Sequence, residues 1–151
     1  MIKINVIVKD KNWLKFIKNP KNYLNHKIKK IQTDKFFGKK KYQFSLLLSE
    51  TKEIKYLNKK FRKKNKSTDI LSFPIKKMIN KNFFYLGDII ISYEFMNRPQ
   101  KINLAEFKKK VAKIFIHGFL HLRGYDHKKN KDFSIMRKEE VKIYNLVKNK
   151  I

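Results

Sequence analysis

Cysteine is absent from this chain of 151 residues. A chain without cysteine forms no disulfide, has no thiol nucleophile and offers no thiolate ligand to zinc. Long apolar runs are also absent, since no stretch reaches the roughly 18 residues that a membrane span requires. The first ten residues alternate apolar and polar side chains, which predicts a strand and not a signal peptide. We therefore expect a cytoplasmic protein with no membrane segment.

Acidic residues are scarce. Lys and Arg number 39 against 12 Asp and Glu, which gives a formal net charge of +27. Such a charge creates a strong positive field and favours a nucleic-acid or ribosomal partner. Only four of the basic residues are Arg, a usage that AT-rich coding sequences also produce, so a solvated lysine surface is the alternative interpretation. The 13 Phe and 7 Tyr argue against a disordered basic tail.

The order of periodic segments predicts an α+β fold in a single domain over residues 1–151. Pro74 favours an edge position or an early end for the third strand, and residues 75–82 are interpreted as a loop. Pro20 is expected to interrupt the first helical region. The predicted strands are residues 2–8, 42–48, 68–74 and 85–92. The predicted helical segments are residues 13–31, a segment with the apolar stripe Ile54, Leu57 and Phe61, residues 104–121, and residues 133–151.

Three of the four histidines lie within eleven residues. His117 and His121 are four residues apart, which places them on one face of the predicted long helix. Gly124 accepts the positive φ that reverses the chain, so the turn can bring His127 to the same place. Three neutral nitrogen ligands with an open fourth position are typical of a catalytic site for one Zn²⁺ ion. The alternative is a helix with polar histidines ahead of an ordinary glycine cap.

The spacing His-x3-His-x2-Gly-x2-His matches that of the metzincin proteases. Those proteases need Glu directly after the first histidine as the general base, and this position is Gly118 here. A metalloprotease is therefore disfavoured, and metal-assisted hydrolysis as such stays open.

The cluster resembles the YbeY family of endoribonucleases and rRNA maturation factors. Residues 117–127 match its motif H-G-x-L-H-L-x-G-Y-D-H at every specified position. Leu57-Asn58, Arg62 and residues 68–74 resemble a second signature, L-N-x-x-[YF]-R-x(5)-T-D-V-L-S-F-P, with Ile70 in place of Val. Residues 86–89 (L-G-D-I) resemble a third.

The resemblance implies a small mixed four-stranded sheet covered by about five helices, with a metzincin-like metal-binding helix. It implies a single-strand-specific, zinc-dependent endoribonuclease in 16S rRNA 3′-end maturation and late ribosome quality control. Single-stranded RNA, rRNA and the ribosome or its small subunit are the expected partners, with no membrane and no DNA specifically implied. His117, His121 and His127 are the implied zinc ligands, and Arg62 and His117 the implied catalytic residues.

Arg62 suits this chemistry because its planar, always charged fork fits a phosphate better than a lysine does. We hypothesise that it clamps the scissile phosphate, the alternative being a surface cation at a helix end. Asp126 either orients a histidine N–H or satisfies backbone groups of the turn. His26 is interpreted as a surface residue and Met136 as core. The competing function is a non-catalytic ribosome-assembly factor with a structural zinc site.

Overall fold

The computed structural model describes residues 1–31 and 39–148, and its elements form an α+β fold as predicted. A 3₁₀ helix at Lys11–Lys15 follows the first strand. The strands are β1 (Ile2–Val8), β2 (Lys41–Ser49), β3 (Ile70–Asn80) and β4 (Phe83–Ser92). The α-helices are α1 (Pro20–Ile31), α2 (Thr51–Arg62), α3 (Tyr93–Met96), α4 (Leu104–Leu122) and α5 (Asn130–Val147).

The four strands form one mixed sheet in the order β1-β2-β4-β3. Strands β1, β2 and β4 are parallel, and β3 pairs antiparallel with β4 at the edge. The edge position predicted from Pro74 is confirmed, since an edge strand tolerates a residue without an N–H. Pro20 is the first residue of α1, which agrees with the predicted interruption and with the fixed φ of proline.

The prediction of a loop over residues 75–82 is wrong. Strand β3 continues through Pro74 to Asn80, and its pairing with β4 shifts register between Pro74 and Lys77. Every residue of β3 from Pro74 onward is exposed, so this half of the strand lacks the alternation of buried and exposed residues that normally marks a strand. Because neither face of this half of the strand is buried, the sequence shows no period of two there.

The two faces of the sheet are covered by different numbers of helices and by cores of different size. Helices α1, α4 and α5 cover one face with the main core, in which Trp13, Phe44 and Phe119 are fully enclosed. Helix α2 covers the other face through a small cluster of Ile54, Leu71 and Ile90. Adjacent residues of β3 therefore serve different layers, because successive side chains of a strand point to opposite faces.

Two expectations about helix faces need correction. In α2 the buried residues are Ile54 and Asn58, and Asn58 donates from Nδ2 to the Lys66 carbonyl at 2.8 Å. Phe61 follows Asn58 by three residues on the same side of α2, but it lies in the last turn of the helix, where it contacts the ring of Phe73 on the edge strand and is 60% exposed. Phe133 of α5 is also exposed. Ile151, assigned to the terminal helix, lies outside the described residues.

A membrane-spanning helix requires a minimum length and an apolar composition. Across residues 1–31 and 39–148, none of the helices combines the length and the apolar composition needed to cross a bilayer.

Candidate metal centre

The end of α4 carries the first two histidines. Asn103 caps the start of this helix, its side chain accepting from the Glu106 N–H at 2.9 Å. Buried residues on most sides of the last turns fix the helix against the sheet and the neighbouring helices. His117 and His121 are half-buried on the remaining face, with ring centroids 4.6 Å apart. The predicted shared face is confirmed.

The turn after α4 delivers the third histidine. Gly124 has a φ of +96°, and its N–H donates to the His121 carbonyl at 3.0 Å. The Tyr125 N–H donates to the Leu120 carbonyl at 3.0 Å, which completes the pair of hydrogen bonds of a Schellman cap. The chain then turns back, and the His127 ring centroid lies 5.4 Å from that of His117 and 5.0 Å from that of His121.

The three imidazoles present one ligand nitrogen each within 4.8 Å of one another. His117 Nδ1 is 2.6 Å from Glu140 Oε1, and His121 Nδ1 is 3.0 Å from the Tyr125 carbonyl oxygen. Both oxygens accept, so both Nδ1 atoms donate and each Nε2 carries its lone pair outward.

The two lone pairs face each other, since His117 Nε2 and His121 Nε2 are 3.1 Å apart. Such an arrangement is repulsive unless a cation or a proton is shared between the nitrogens. Burial, followed by the neighbouring His117, lowers the pKa of His121 below its usual value, which favours the neutral, ligating form of the ring. This donor set fits a metal ion that accepts nitrogen ligands, and the group could hold one.

Glu140 is the site residue that sequence reasoning missed. It lies on α5, where Oε1 meets His117 and Oε2 is 3.3 Å from Arg137 Nη1. Its signal was available, because Glu140 interrupts the inward stripe formed by Met136, Ile143 and Val147. A carboxylate at an inward position of a helix needs a partner, and here the partner is an imidazole.

Asp126 has the backbone role of the two considered. Its Oδ1 accepts from the His127 N–H at 2.8 Å, and this hydrogen bond is the main cause that lowers the pKa of Asp126. His26 is exposed on α1, and Met136 is buried in the core, as both were interpreted.

Gly118 is buried on the face of α4 that packs against β3 and β4. A Cβ at this position would come within 2.6 Å of Ile70 Cδ1 and 3.1 Å of Ser72 Oγ. A glutamate at this position would require Ile70 and its neighbours to shift, which adds a steric reason to disfavour a protease.

Arg62, the last residue of α2, lies against the edge strand β3. Its Nη2 donates to the Ser72 carbonyl at 2.9 Å, and its guanidinium carbon is 5.6 Å from the centroid of the Phe73 ring. Ser72 Oγ in turn donates to the Gly118 carbonyl at 3.4 Å. The arginine is thus connected through one residue of β3 to the helix segment that carries His117.

A cavity of about 540 Å³ opens beside His117, within the size range of small-molecule sites. Its walls mix apolar and charged side chains from the start of β3, α4 and α5. They include Asp69, Ile70, Lys113, Arg137, Glu140 and Tyr144.

Fold and site together define a class of protein: a small α+β domain with three histidines, on one helix and the turn after it, placed to hold a metal ion. The family model described as endoribonuclease YbeY matches residues 7–148, and the chain belongs to the YbeY family.

Curated relatives agree with this assignment. A Pelagibacter ubique (strain HTCC1062) protein named endoribonuclease YbeY is 54% identical over 152 residues, covering 100% of this chain and 99% of the relative. Proteins of the same name from Wolbachia (strain wRi of Drosophila simulans) and Buchnera aphidicola of Schizaphis graminum are 34% and 38% identical. They cover 95% and 93% of this chain, and 93% and 89% of their own length is matched.

Proposed function

We propose that this chain is a single-domain, zinc-dependent endoribonuclease that cleaves single-stranded RNA in the cytoplasm. Its proposed role is the maturation of the 16S rRNA 3′ end and late-stage quality control of the small ribosomal subunit. The observation that carries the proposal is the convergence of three ring nitrogens within 4.8 Å, beside an open cavity, in a chain of this family. The net charge of +27 suits a polyanionic substrate.

His117, His121 and His127 would hold the ion. When bound, a zinc ion supplies Lewis-acid polarisation of a phosphoryl oxygen and lowers the pKa of a water molecule. Glu140 and the Tyr125 carbonyl hold two of the imidazoles in one tautomer, so their lone pairs are oriented before any ligand arrives. The residues thus provide a preorganised nitrogen donor set, and its cost in ordering is met when the protein folds.

Two cleavage routes, which differ in the nucleophile, are compatible with the glycine at position 118, because this residue provides no general base next to His117. In one route a water molecule attacks phosphorus and the 3′- or 5′-oxygen leaves, giving a linear phosphate. In the other the 2′-hydroxyl of the RNA attacks and the 5′-oxygen leaves, giving a 2′,3′-cyclic phosphate. Mass spectrometry of the products separates the routes.

The proposal is tested with a labelled RNA supplied as a single strand and as a perfect duplex. We expect the zinc-loaded protein to cut the single strand at least about tenfold faster, since a duplex must first unpair to present a separated strand. Binding of zinc without cleavage of either form would contradict the enzyme and support the assembly-factor alternative. Cleavage of casein by the same preparation would support a protease.

Arg62 is proposed to clamp the scissile phosphate. Its Nη2 is engaged by the Ser72 carbonyl, which leaves the other guanidinium donors for a phosphate oxygen. We expect Arg62→Lys to reduce the rate of RNA cleavage by about tenfold, because a lysine keeps the charge and loses the planar fork. Lys63→Arg, one residue further along the chain, is the matched control. An Arg62→Lys protein as fast as the parent would remove the clamp.

A further inference from the structure

Helix α2 presents two aromatic rings to solvent. Tyr56 and Phe61 are each 60% exposed, although rings of this size usually contribute to a core. The ammonium group of Lys60 lies between them, 5.8 Å from the centroid of the Tyr56 ring and 5.3 Å from that of Phe61. Both contacts are within the range of cation–π attraction.

A third ring extends this surface onto the edge strand. Phe73 meets Phe61 edge to face, with centroids 5.6 Å apart and ring planes inclined by 66°. We call Tyr56, Lys60, Phe61 and Phe73 the α2 platform. Its members belong to α2 and to β3, so the helix and the edge strand fix them relative to each other.

The surroundings of the α2 platform are strongly basic. Residues 51–66 contain eight Lys or Arg and a single acid, Glu53. All eight basic residues are exposed, whereas Glu53 is half-buried and accepts a hydrogen bond from Ser49 Oγ. The rings thus lie in a field that attracts polyanions.

The α2 platform and the metal centre lie on opposite sides of β3. Leu71 packs with Ile54 of α2, whereas Ser72 contacts Gly118 of α4. Arg62 spans the edge between them, because it contacts the ring of Phe73 and donates to the Ser72 carbonyl. A single-stranded RNA that leaves the metal centre past Arg62 would reach the α2 platform next.

We propose that the α2 platform binds the single-stranded RNA that flanks the cleavage site by stacking bases on Tyr56 and Phe61. Proteins that bind single strands without strong sequence preference combine a basic surface with aromatic rings, because every base has a stackable face and every linkage a charge. Both components are present here side by side. The proposal rests on the proposed function, of which it names the substrate-binding surface.

The test uses the double variant Tyr56→Leu and Phe61→Leu in the zinc-loaded full chain. Stacking on aromatic rings supplies much of the affinity for single strands, so we expect KM for a single-stranded RNA to rise by about tenfold or more. The value of kcat at saturating RNA should be unchanged. Phe61→Tyr keeps the ring and should keep the parent KM. Leu14→Ala removes an exposed apolar side chain elsewhere and serves as the matched control.

A binding measurement without zinc separates this proposal from the proposed function. Fluorescence anisotropy of labelled oligouridylate in EDTA should show the double variant binding about tenfold more weakly than the parent, even if the parent fails to cleave. Affinity for a heparin oligosaccharide, a polyanion without bases, should be unchanged. Equal RNA affinity in parent and double variant would overturn the platform, as would an equal loss for RNA and heparin.

Discussion

The His121→Ala variant is expected to lose its zinc and to cleave single-stranded RNA at least about 10³-fold more slowly than the parent. His121 is the central residue of the cluster, because its ring centroid lies 4.6 Å from that of His117 and 5.0 Å from that of His127. Its removal leaves two ligands on a site that needs three. A metal ion contributes several kcal/mol to stabilising charge at a phosphoryl group, and each 1.36 kcal/mol is a factor of ten in rate.

The matched control is His26→Ala. His26 is exposed on α1 and belongs to no metal-binding group among the residues that the structure describes, so this variant should keep one zinc per chain and the parent rate. Zinc content is measured by mass spectrometry of the purified proteins, and cleavage with gel-resolved RNA. Equal cleavage by parent and His121→Ala would identify a contaminating ribonuclease. Zinc at parent occupancy in His121→Ala would contradict the assignment of the ligands.

The part of the site that could be predicted from the sequence is the part made by local geometry. Residues four positions apart lie on the same face of a helix, as His117 and His121 do. Gly124 ends the helix with a cap whose two hydrogen bonds join residues three and five positions apart. The position of His127 follows from these short-range rules. Each of these features depends on neighbours within about ten residues.

The features that were missed depend on residues far apart in the chain. Glu140 reaches His117 across 23 residues because α5 packs on α4, and no local spacing predicts that packing. The second half of β3 forms through pairing with β4 alone, with no buried face to show in the sequence. Phe61 shares a helix side with Ile54, and its exposure follows from its place in the last turn of α2, beside the edge strand β3.

Glu140→Gln is expected to weaken zinc affinity by 10- to 100-fold, the usual effect of removing a hydrogen-bond partner of a ligating histidine. The carboxylate accepts from His117 Nδ1 at 2.6 Å and so fixes the ring with Nε2 toward the other histidines. An amide can present its oxygen in the same place, but it lacks the charge that makes the imidazole a better donor to a metal. Isothermal titration of metal-free protein with zinc measures the change.

Glu139→Gln is the matched control, since it removes a charge from the adjacent residue of α5, whose buried Oε2 makes no hydrogen bond within residues 1–31 and 39–148. A purely structural role for Glu140 predicts a lower melting temperature of the metal-free protein with little change in zinc affinity. A positioning role predicts a roughly 10- to 100-fold loss of zinc affinity in Glu140→Gln and the parent affinity in Glu139→Gln, because Glu140 is the residue that accepts from a ligating histidine. Equal zinc affinities for the two variants would show that Glu140 does not position His117.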